Sequence, residues 1–286
     1  MAVVNTNVNA AVAQNALVRN ERSMNTAMER LSTGQRINSA ADDAAGLAIA
    51  SRMTSQIKGL ETAVRNANDG ISMISTADGA LVEVGNMLQR MRELALQASN
   101  GTTTSSDRAY LNTEYQNLVV EIERIANNTQ WNGGTVLDGS ASAIAFQVGA
   151  NGGQTISVNF GSVQASGTVF SSMAAANSGA GHSLSSNTTA AALTTASAAI
   201  TAIDTAITSV NSQRSTFGAA MNQLTYAVDN LSNVKVNSEA ARSRILDTDY
   251  AASTSELART QIIQQAGTAM LAQANQLPQT VLSLLR

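Results

Sequence analysis

Few side chains in this sequence could carry catalysis or bind a metal. There is one histidine, His182, and no cysteine, so one chain cannot assemble a histidine–cysteine zinc site or a Ser-His-Asp triad. Asp42 and Asp43 are adjacent, and neighbouring helical side chains point about 100° apart, so we predict a helix N-terminal cap rather than an acid–base pair. The Gly-Ala-Gly at 179–181 follows no predicted strand and is not a phosphate loop. We therefore predict no enzymatic activity and no cofactor or metal.

Composition excludes several kinds of partner. Of 286 residues, 13% are charged and 3% aromatic, with a net charge of -3, so neither nucleic acid nor an anionic membrane is expected to bind. The first eighteen residues lack the basic region of a secretory signal, and no apolar run is long enough to span a bilayer. Taken alone, these features predict a cytoplasmic protein.

Charged side chains are absent from three stretches, residues 1–18, 139–203 and 260–285. The two end stretches are rich in Ala, Gln, Asn, Val and Leu, whereas the middle one is rich in Gly, Ser, Thr and Ala. This near-symmetric layout indicates a chain that runs out, turns and returns.

Apolar residues recur at alternating spacings of three and four along both halves of the chain, which is typical of long helices packed as in coiled coils. The clearest stripes are Leu81, Val84, Leu88, Met91, Ala95 and Ala98 in the first half, and Ile203, Ile207, Val210, Phe217, Met221, Leu224 and Val228 in the second. We predict a mainly α protein, a long antiparallel helical bundle that pairs the N- and C-terminal halves.

Turn chemistry marks the ends of the predicted helices. Gly34 can adopt the positive φ that ends a helix, residues 100–107 should cap the third helix, and 132–134 open the middle region. There, AIAFQVG and TISVNF alternate apolar with polar residues around a glycine-containing loop, which predicts a β-hairpin. Residues 161–190 should follow as a flexible, low-complexity surface segment.

Several long strings resemble bacterial flagellin. The strings at 29–53 and 66–81 resemble its N-terminal conserved region, and LQRMRELALQASNGT at 88–102 resembles the segment that follows. Residues 241–286 resemble its C-terminus, and FQVGANGGQ at 146–154 resembles a further flagellin motif. Together they cover about half the chain, at both ends and in matching order.

The resemblance implies a division of the chain into layers. Residues 1–40 and 250–286 would form paired inner filament-core helices, and residues 41–138 and 188–249 an outer helical bundle. Residues 139–187 would form the β-hairpin and a short variable surface segment. Only a short low-complexity stretch stands where many flagellins carry large exposed domains, so no outer globular domain is expected.

The resemblance also implies a function. The chain would be a structural subunit that polymerises into the extracellular flagellar filament for swimming. The expected partners are further copies of itself, the flagellar type III export apparatus and an export chaperone, and the filament cap and hook-associated proteins. Export by this route would explain why no signal peptide is visible. The alternative is a hook–filament junction protein, which shares flagellin-like ends.

The terminal apolar stripes are predicted to order on assembly, because single helices of this length are marginal in water. The predicted inner-core assembly residues recur every seven residues near the start and form an apolar stripe in the last helix. They are Val3, Ala10, Leu17, Met24, Leu31, Ile263, Met270, Ala274, Leu277, Val281, Leu284 and Leu285.

The resemblance further implies recognition by animal hosts. The family's contacts with Toll-like receptor 5 would fall on Gln89, Arg90, Leu94 and Glu114, and the terminal Leu-rich segment resembles the part read by cytosolic NAIP sensors. At Ser253 the family commonly has Glu, so a local salt bridge is expected to be absent. The composition of residues 161–195 also suggests O-glycosylation as a hypothesis.

Overall fold

The structure is a computed structural model that describes residues 7–141, 143–164, 184 and 189–284. The chain divides into two compact units. Unit 1 comprises residues 1–57 and 236–286, and unit 2 comprises residues 58–235.

Long helices dominate both units, as the periodicity predicts. In chain order the elements are α1 Val8–Thr33, α2 Ala44–Ala98, α3 Ser105–Asn128, β1 Gln130–Trp131, β2 Gly134–Thr135, β3 Ile144–Gln147, β4 Thr155–Val158, α4 Thr189–Leu246 and α5 Tyr250–Leu284. The mainly α prediction with a small hairpin region is confirmed.

The core of unit 2 lies where α2, α3 and α4 bring their apolar stripes together. Its fully buried side chains include Leu81, Leu88, Met91, Leu94, Tyr115, Ile203 and Phe217. The rings of Phe160 and Phe217 pack with centroids 5.3 Å apart, within the range of favourable aromatic pairs. The predicted stripes of α2 and α4 therefore form one continuous core.

Three ion pairs join α2 to α4 within unit 2. Glu61 Oε1 accepts from Lys235 Nζ at 2.6 Å and Asp78 Oδ1 accepts from Arg214 Nε at 2.9 Å. Arg92 Nε donates to Asp204 Oδ1 at 2.6 Å. As the residue numbers rise along α2, the numbers of the α4 partners fall, so the two helices are antiparallel. The predicted antiparallel bundle is confirmed.

Local capping ends the helices where the sequence predicts. Gly34, at φ 72°, ends α1 in the left-handed conformation. Thr104 and Asp107 form a reciprocal capping box at the start of α3, and Asp43 Oδ1 accepts from the backbone N–H of Gly46 at 2.9 Å. Each contact satisfies backbone groups that a helix end leaves without an intrahelical partner.

The predicted hairpin is also confirmed. Strands β3 and β4 pair antiparallel, with Ile144 opposite Val158 and Phe146 opposite Ile156. The hairpin lies close against α2, because a Cβ on Gly70 would come within 3.0 Å of the Phe146 ring.

Much of the predicted low-complexity segment lies outside the described residues, including His182 and the region where no outer domain is expected. At its edges the prediction of a surface segment is wrong. Val163 and Leu184 are fully buried in the unit 2 core, and the Leu184 N–H donates to Asn112 Oδ1 at 2.9 Å. An isolated apolar residue in a polar stretch gives no periodic signal, so its burial is not predictable from spacing.

Candidate interaction surfaces

Helices α1 and α5 pair antiparallel in unit 1 through polar contacts. Asn20 Nδ2 donates to the Thr260 carbonyl at 2.7 Å and to Gln264 Oε1 at 3.1 Å. Asn20 and Thr260 are buried, with 9% and 2% exposure. Near the other end, Asn7 Nδ2 donates to the Ala274 carbonyl at 2.8 Å. Because buried amide groups need partners, these bonds fix which face of α5 meets α1.

A glycine allows the two helices to approach closely. A Cβ built on Gly267 would lie 2.6 Å from Leu17 Cδ2, a separation that side chains do not tolerate. Leu17 therefore packs directly over the α5 backbone at this point, as small residues permit at other close helix crossings.

The turn after α1 continues the pairing. Arg36 N–H donates to the Leu246 carbonyl at 2.6 Å, and Thr248 N–H donates to the Gly34 carbonyl at 3.0 Å. The Arg36 guanidinium also donates to the Ile245 carbonyl at 2.8 Å. These bonds tie the end of α1 to the α4–α5 connection by backbone groups.

The predicted inner-core residues fall into three groups. Those half-buried or buried in the α1–α5 pair are Ala10, Leu17, Met24, Leu31 and Ala274, whereas Ile263 and Met270 are exposed. Val3, Leu285 and the side chains of Leu277, Val281 and Leu284 lie outside what the structure describes. Within one chain, the α5 stripe found by periodicity therefore contacts α1 at Ala274 and leaves Ile263 and Met270 exposed.

Five of the exposed apolar residues of α1 and α5 make up what we call the terminal apolar surface. It comprises Val8, Val12, Ile262, Ile263 and Met270, which are between 44% and 66% exposed. No charged residue lies between positions 260 and 285. A single surface leucine or valine needs no explanation, but a repeated set on the uncharged parts of two helices indicates a surface that other chains cover.

A polar cavity of about 440 Å³ lies beside the same helix pair, lined by Ser23, Thr26, Ala27, Arg30, Ala252, Ser253 and Glu256. Arg30 Nε is buried without a hydrogen-bond partner, while the Glu256 carboxylate is held by Arg259 at 2.6 Å. Ser253 Oγ lies 2.9 Å from Thr248 Oγ1 and makes no ion pair, as expected for a serine.

The predicted receptor residues lie in unit 2 on α2 and α3. Arg90 Nε donates to Glu114 Oε1 at 2.8 Å, and Arg90 also contacts Glu93 at 3.0 Å. The hydrogen bond to Glu114, followed by that to Glu93, raises the pKa of Arg90 above its ordinary value. Gln89 is exposed beside this cluster, so three of the four residues share an accessible, charged face.

Leu94 differs from the other three, because it is buried in the unit 2 core with 1% exposure. Its side chain cannot contact a receptor in this conformation, and its placement among the contacts is corrected. The spacing in the sequence indicates this burial, because Leu94 lies three residues after Met91 and four before Ala98 on the inward stripe.

Sequence reasoning also missed exposed apolar residues in this region. Leu96, Tyr110 and Val120 are 47%, 76% and 63% exposed on α2 and α3. They interrupt no periodic stripe, so the sequence alone does not distinguish them from ordinary surface residues.

Two site classes are not found in the described part of the chain. No helix there is both long and apolar enough to cross a bilayer. No group of three or more metal-ligating His, Cys, Asp or Glu side chains occurs among the same residues.

Comparison with known proteins decides the family. The family model of the bacterial flagellin N-terminal helical region matches residues 4–142, and that of the C-terminal helical region matches residues 200–285. The chain belongs to the bacterial flagellin family. It is 46% identical over 284 residues to a flagellin of Halalkalibacterium halodurans, covering 99% of this chain and 100% of that protein. It is 44% identical over 310 residues to a flagellin of Xenorhabdus nematophila, covering 99% of both.

A solved structure shares the fold at lower identity. A protein assigned as a flagellar hook-associated protein from Vibrio parahaemolyticus has a TM-score of 0.60 and 17% identity, covering 72% of this chain and 100% of that one. At this identity the likeness concerns the fold alone. The full-length flagellin matches favour a filament subunit over the junction alternative.

Family membership therefore establishes the coarse function. Flagellins are structural proteins, not enzymes, and they polymerise into the extracellular filament of the bacterial flagellum. This family-level conclusion overrides the cytoplasmic location suggested by composition alone.

Proposed function

We propose that this flagellin polymerises through α1 and α5, whose terminal apolar surface packs against the same helices of further copies. In this proposal residues 1–40 and 250–286 form the inner layer of the filament, and residues 41–138 and 188–249 the outer layer. Residues 139–187 contribute the hairpin and the outer surface. The exposure of the terminal apolar surface within one chain is the observation that carries the proposal.

The energetics favour burial of this surface in an assembly. Each Ile, Val or Met that becomes fully buried contributes about 1.5–3 kcal/mol, which acts against the entropy of ordering long side chains. The absence of charge between positions 260 and 285 means that packing need not desolvate an ion there. Within one chain, α1 covers Thr260 and Ala274 of α5 and leaves Ile262, Ile263 and Met270 exposed.

The test replaces one exposed residue of the surface. Ile263→Ser removes an apolar side chain that the single chain leaves 44% exposed, so the monomer should keep its helical circular dichroism. The critical concentration for polymerisation should rise at least about tenfold, the equilibrium equivalent of 1.4 kcal/mol.

The matched control is Gln261→Ser on the same helix, where Gln261 is exposed and polar. It should polymerise as the unmodified chain does. Equal critical concentrations for Ile263→Ser and Gln261→Ser would contradict the proposal.

Family membership supports the finer partners, which complete the proposal. The subunit is exported by the flagellar type III apparatus with a chaperone, and its filament meets the hook-associated proteins and the cap. Deletion of residues 1–18 should abolish secretion from a flagellated host, as measured by the subunit in the culture medium. Secretion at the unmodified level would exclude the N-terminal segment as an export determinant.

We also infer that free subunits are recognised by Toll-like receptor 5 through Gln89, Arg90 and Glu114, with the terminal Leu-rich segment read by NAIP sensors. The support is the exposed cluster in which Arg90 is held by Glu114 and Glu93. A fixed guanidinium presents planar donors to a partner at little further loss of entropy.

The receptor test compares two exposed arginines that each hold an ion pair. Arg90→Ala should reduce reporter-cell activation by Toll-like receptor 5 at least about tenfold, the loss expected for an anchoring arginine. Arg124→Ala removes the exposed Arg124–Glu121 pair on α3 and should have little effect. Unchanged activation by Arg90→Ala would remove this assignment.

A further inference from the structure

We propose that Met270 is an oxidation site that controls entry of the subunit into the filament. The oxidant is a peroxide and the product is methionine sulfoxide. The inference rests on the proposed assembly through α1 and α5, because Met270 belongs to the terminal apolar surface.

Among the methionines that the structure describes, Met270 stands apart by its exposure. Its side chain is 65% exposed, compared with 44% for Met28 and 0% for Met91. Oxidation of methionine follows access of the oxidant to sulfur. In the free subunit, Met270 is therefore the described methionine that a dissolved peroxide reaches most easily.

The position of Met270 gives its oxidation a consequence. It lies seven residues after Ile263, two helical turns along the same side of α5, with exposed Ala266 between them. Ile263 and Met270 are 44% and 65% exposed within one chain, and no charged residue lies between positions 260 and 285. A polar group introduced here faces the surface that a second copy must cover.

The chemical step needs only the thioether and the peroxide. A lone pair on Sδ attacks one peroxide oxygen, the O–O bond breaks, and proton transfer to the departing oxygen gives water. Sulfur is oxidised by two electrons and hydrogen peroxide is reduced by two. The sulfoxide has a strong acceptor oxygen in place of an apolar atom, and burial of that oxygen without a donor is unfavourable.

Assembly should in turn protect the site. Once a second copy covers the terminal apolar surface, peroxide loses access to Met270. Oxidation therefore acts on free subunits and excludes them from growth, whereas subunits already in a filament are protected.

The experiment uses the full chain treated with hydrogen peroxide and quenched with free methionine. Peptide mass spectrometry measures sulfoxide at Met270, Met28 and Met91. In free subunits Met270 should react at least about tenfold faster than buried Met91, and in filaments its rate should fall at least about tenfold. Oxidised subunits should show a critical concentration raised at least about tenfold.

Two variants distinguish the effect of oxidising Met270 from the effect of oxidising other methionines. Met270→Leu keeps an apolar side chain of similar volume, so it should polymerise normally before and after peroxide treatment. Met28→Leu should remain as sensitive to peroxide as the unmodified chain. Loss of assembly by oxidised Met270→Leu, or normal assembly of subunits fully oxidised at Met270, would overturn the proposal.

Failure of the underlying assembly mode is recognised separately. If Met270 reacts equally fast in free subunits and in filaments, and Ile263→Ser polymerises normally, the α5 surface is not buried on assembly. If Ile263→Ser fails to polymerise but oxidation of Met270 has no effect, only the oxidation proposal is overturned.

Discussion

The two antiparallel helix pairings in this flagellin use different side chains. In unit 2, α2 and α4 enclose large apolar residues such as Leu88 and Phe217 at 0% exposure. In unit 1, α1 and α5 meet through an asparagine, a threonine and a glycine. The buried apolar residues described in unit 1 are Ala27, Ile37, Ala50, Ile57 and Ala274.

This difference indicates that unit 2 determines the stability of the monomer, whereas unit 1 determines its polymerisation. Unit 2 encloses a large apolar core within one chain, whereas α1 and α5 fully bury mainly small and polar groups and leave their larger apolar residues half-buried or exposed. The polar contacts fix the alignment of α1 with α5, and further copies supply the missing apolar contacts. Substitutions in the two units should therefore affect different measurements.

The largest effect is expected from Leu88→Ala in unit 2. Removal of a fully buried leucine should lower the free energy of unfolding of the monomer by about 2–5 kcal/mol. Urea unfolding followed by the fluorescence of Trp131, the single tryptophan, measures it, because Trp131 packs against this core.

The contrasting variant is Leu17→Ala in unit 1, where Leu17 is half-buried. It should leave the Trp131 transition unchanged and raise the critical concentration for polymerisation. A similar shift of the Trp131 transition by both substitutions would contradict the separation of the two units.

The next effect concerns the close approach of α1 and α5. Gly267→Ala should weaken the pair by about 1–3 kcal/mol through overpacking against Leu17, more than the roughly 1 kcal/mol that alanine adds to a helix. Faster hydrogen exchange of the α1 and α5 amides would report this. The double variant Leu17→Ala/Gly267→Ala should recover much of the protection.

The control for this effect lies on α4. A Cβ on Gly218 would meet nothing within 4 Å, so Gly218→Ala should stabilise unit 2 by about 0.5–1 kcal/mol. Stabilisation of the α1–α5 pair by Gly267→Ala would show that the two helices are not in close contact there.

A smaller effect is expected from the Tyr115 hydroxyl, which is buried without a partner. Its removal in Tyr115→Phe should raise the stability of unit 2 by about 1 kcal/mol at neutral pH. Burial raises the pKa of Tyr115 to about 12, so the unfolded chain loses this proton first and stability falls as pH rises from 10 towards 12.

Urea titrations between pH 8 and 12 should therefore show a flatter decline for Tyr115→Phe. Tyr110→Phe, at a residue 76% exposed, should retain the decline of the unmodified chain. Identical alkaline profiles for the unmodified chain and Tyr115→Phe would exclude Tyr115 as its source.

The smallest effect is expected from the half-buried ion pair of Glu61 with Lys235. The hydrogen bond and charge of Lys235 lower the pKa of Glu61 below its usual 4.5. The stabilisation is present above that usual value and is lost as pH falls through the lowered one. Glu61→Gln should flatten the decline of the urea midpoint below pH 4.5.

Glu83→Gln, at an exposed carboxylate of the same helix, provides the comparison and should retain the acid decline. Parallel acid profiles for Glu61→Gln and the unmodified chain would show that this ion pair does not contribute to stability in unit 2.

The sequence predicts unit 2 more completely than unit 1. Large apolar residues at spacings of three and four identify the inward faces of α2 and α4, and alternation identifies the β3–β4 pair. These patterns work because burial of many large side chains outweighs the individual polar contacts.

In unit 1, periodicity does not identify the face of α5 that meets α1 within one chain. The apolar stripe through Ile263 and Met270 is real, but the face against α1 is selected by Asn20 and by the space at Gly267. A buried amide and the absence of a side chain produce no apolar period. No charged residue between positions 260 and 285 marks a solvent-facing side, so only the three-dimensional contacts distinguish the two faces.

The spacing of the three α2–α4 ion pairs has a consequence for folding. The heptad-like stripe would remain in contact if α4 slid along α2 by seven residues, about 10 Å. A slide in one direction would place Val228, Ile207 and Ser197 opposite Glu61, Asp78 and Arg92. A slide in the other direction would give an oppositely charged partner only to Glu61, which would face Arg242. The ion pairs thus set the register of α4 along α2. They distinguish alignments that the apolar interface alone would leave equally favourable.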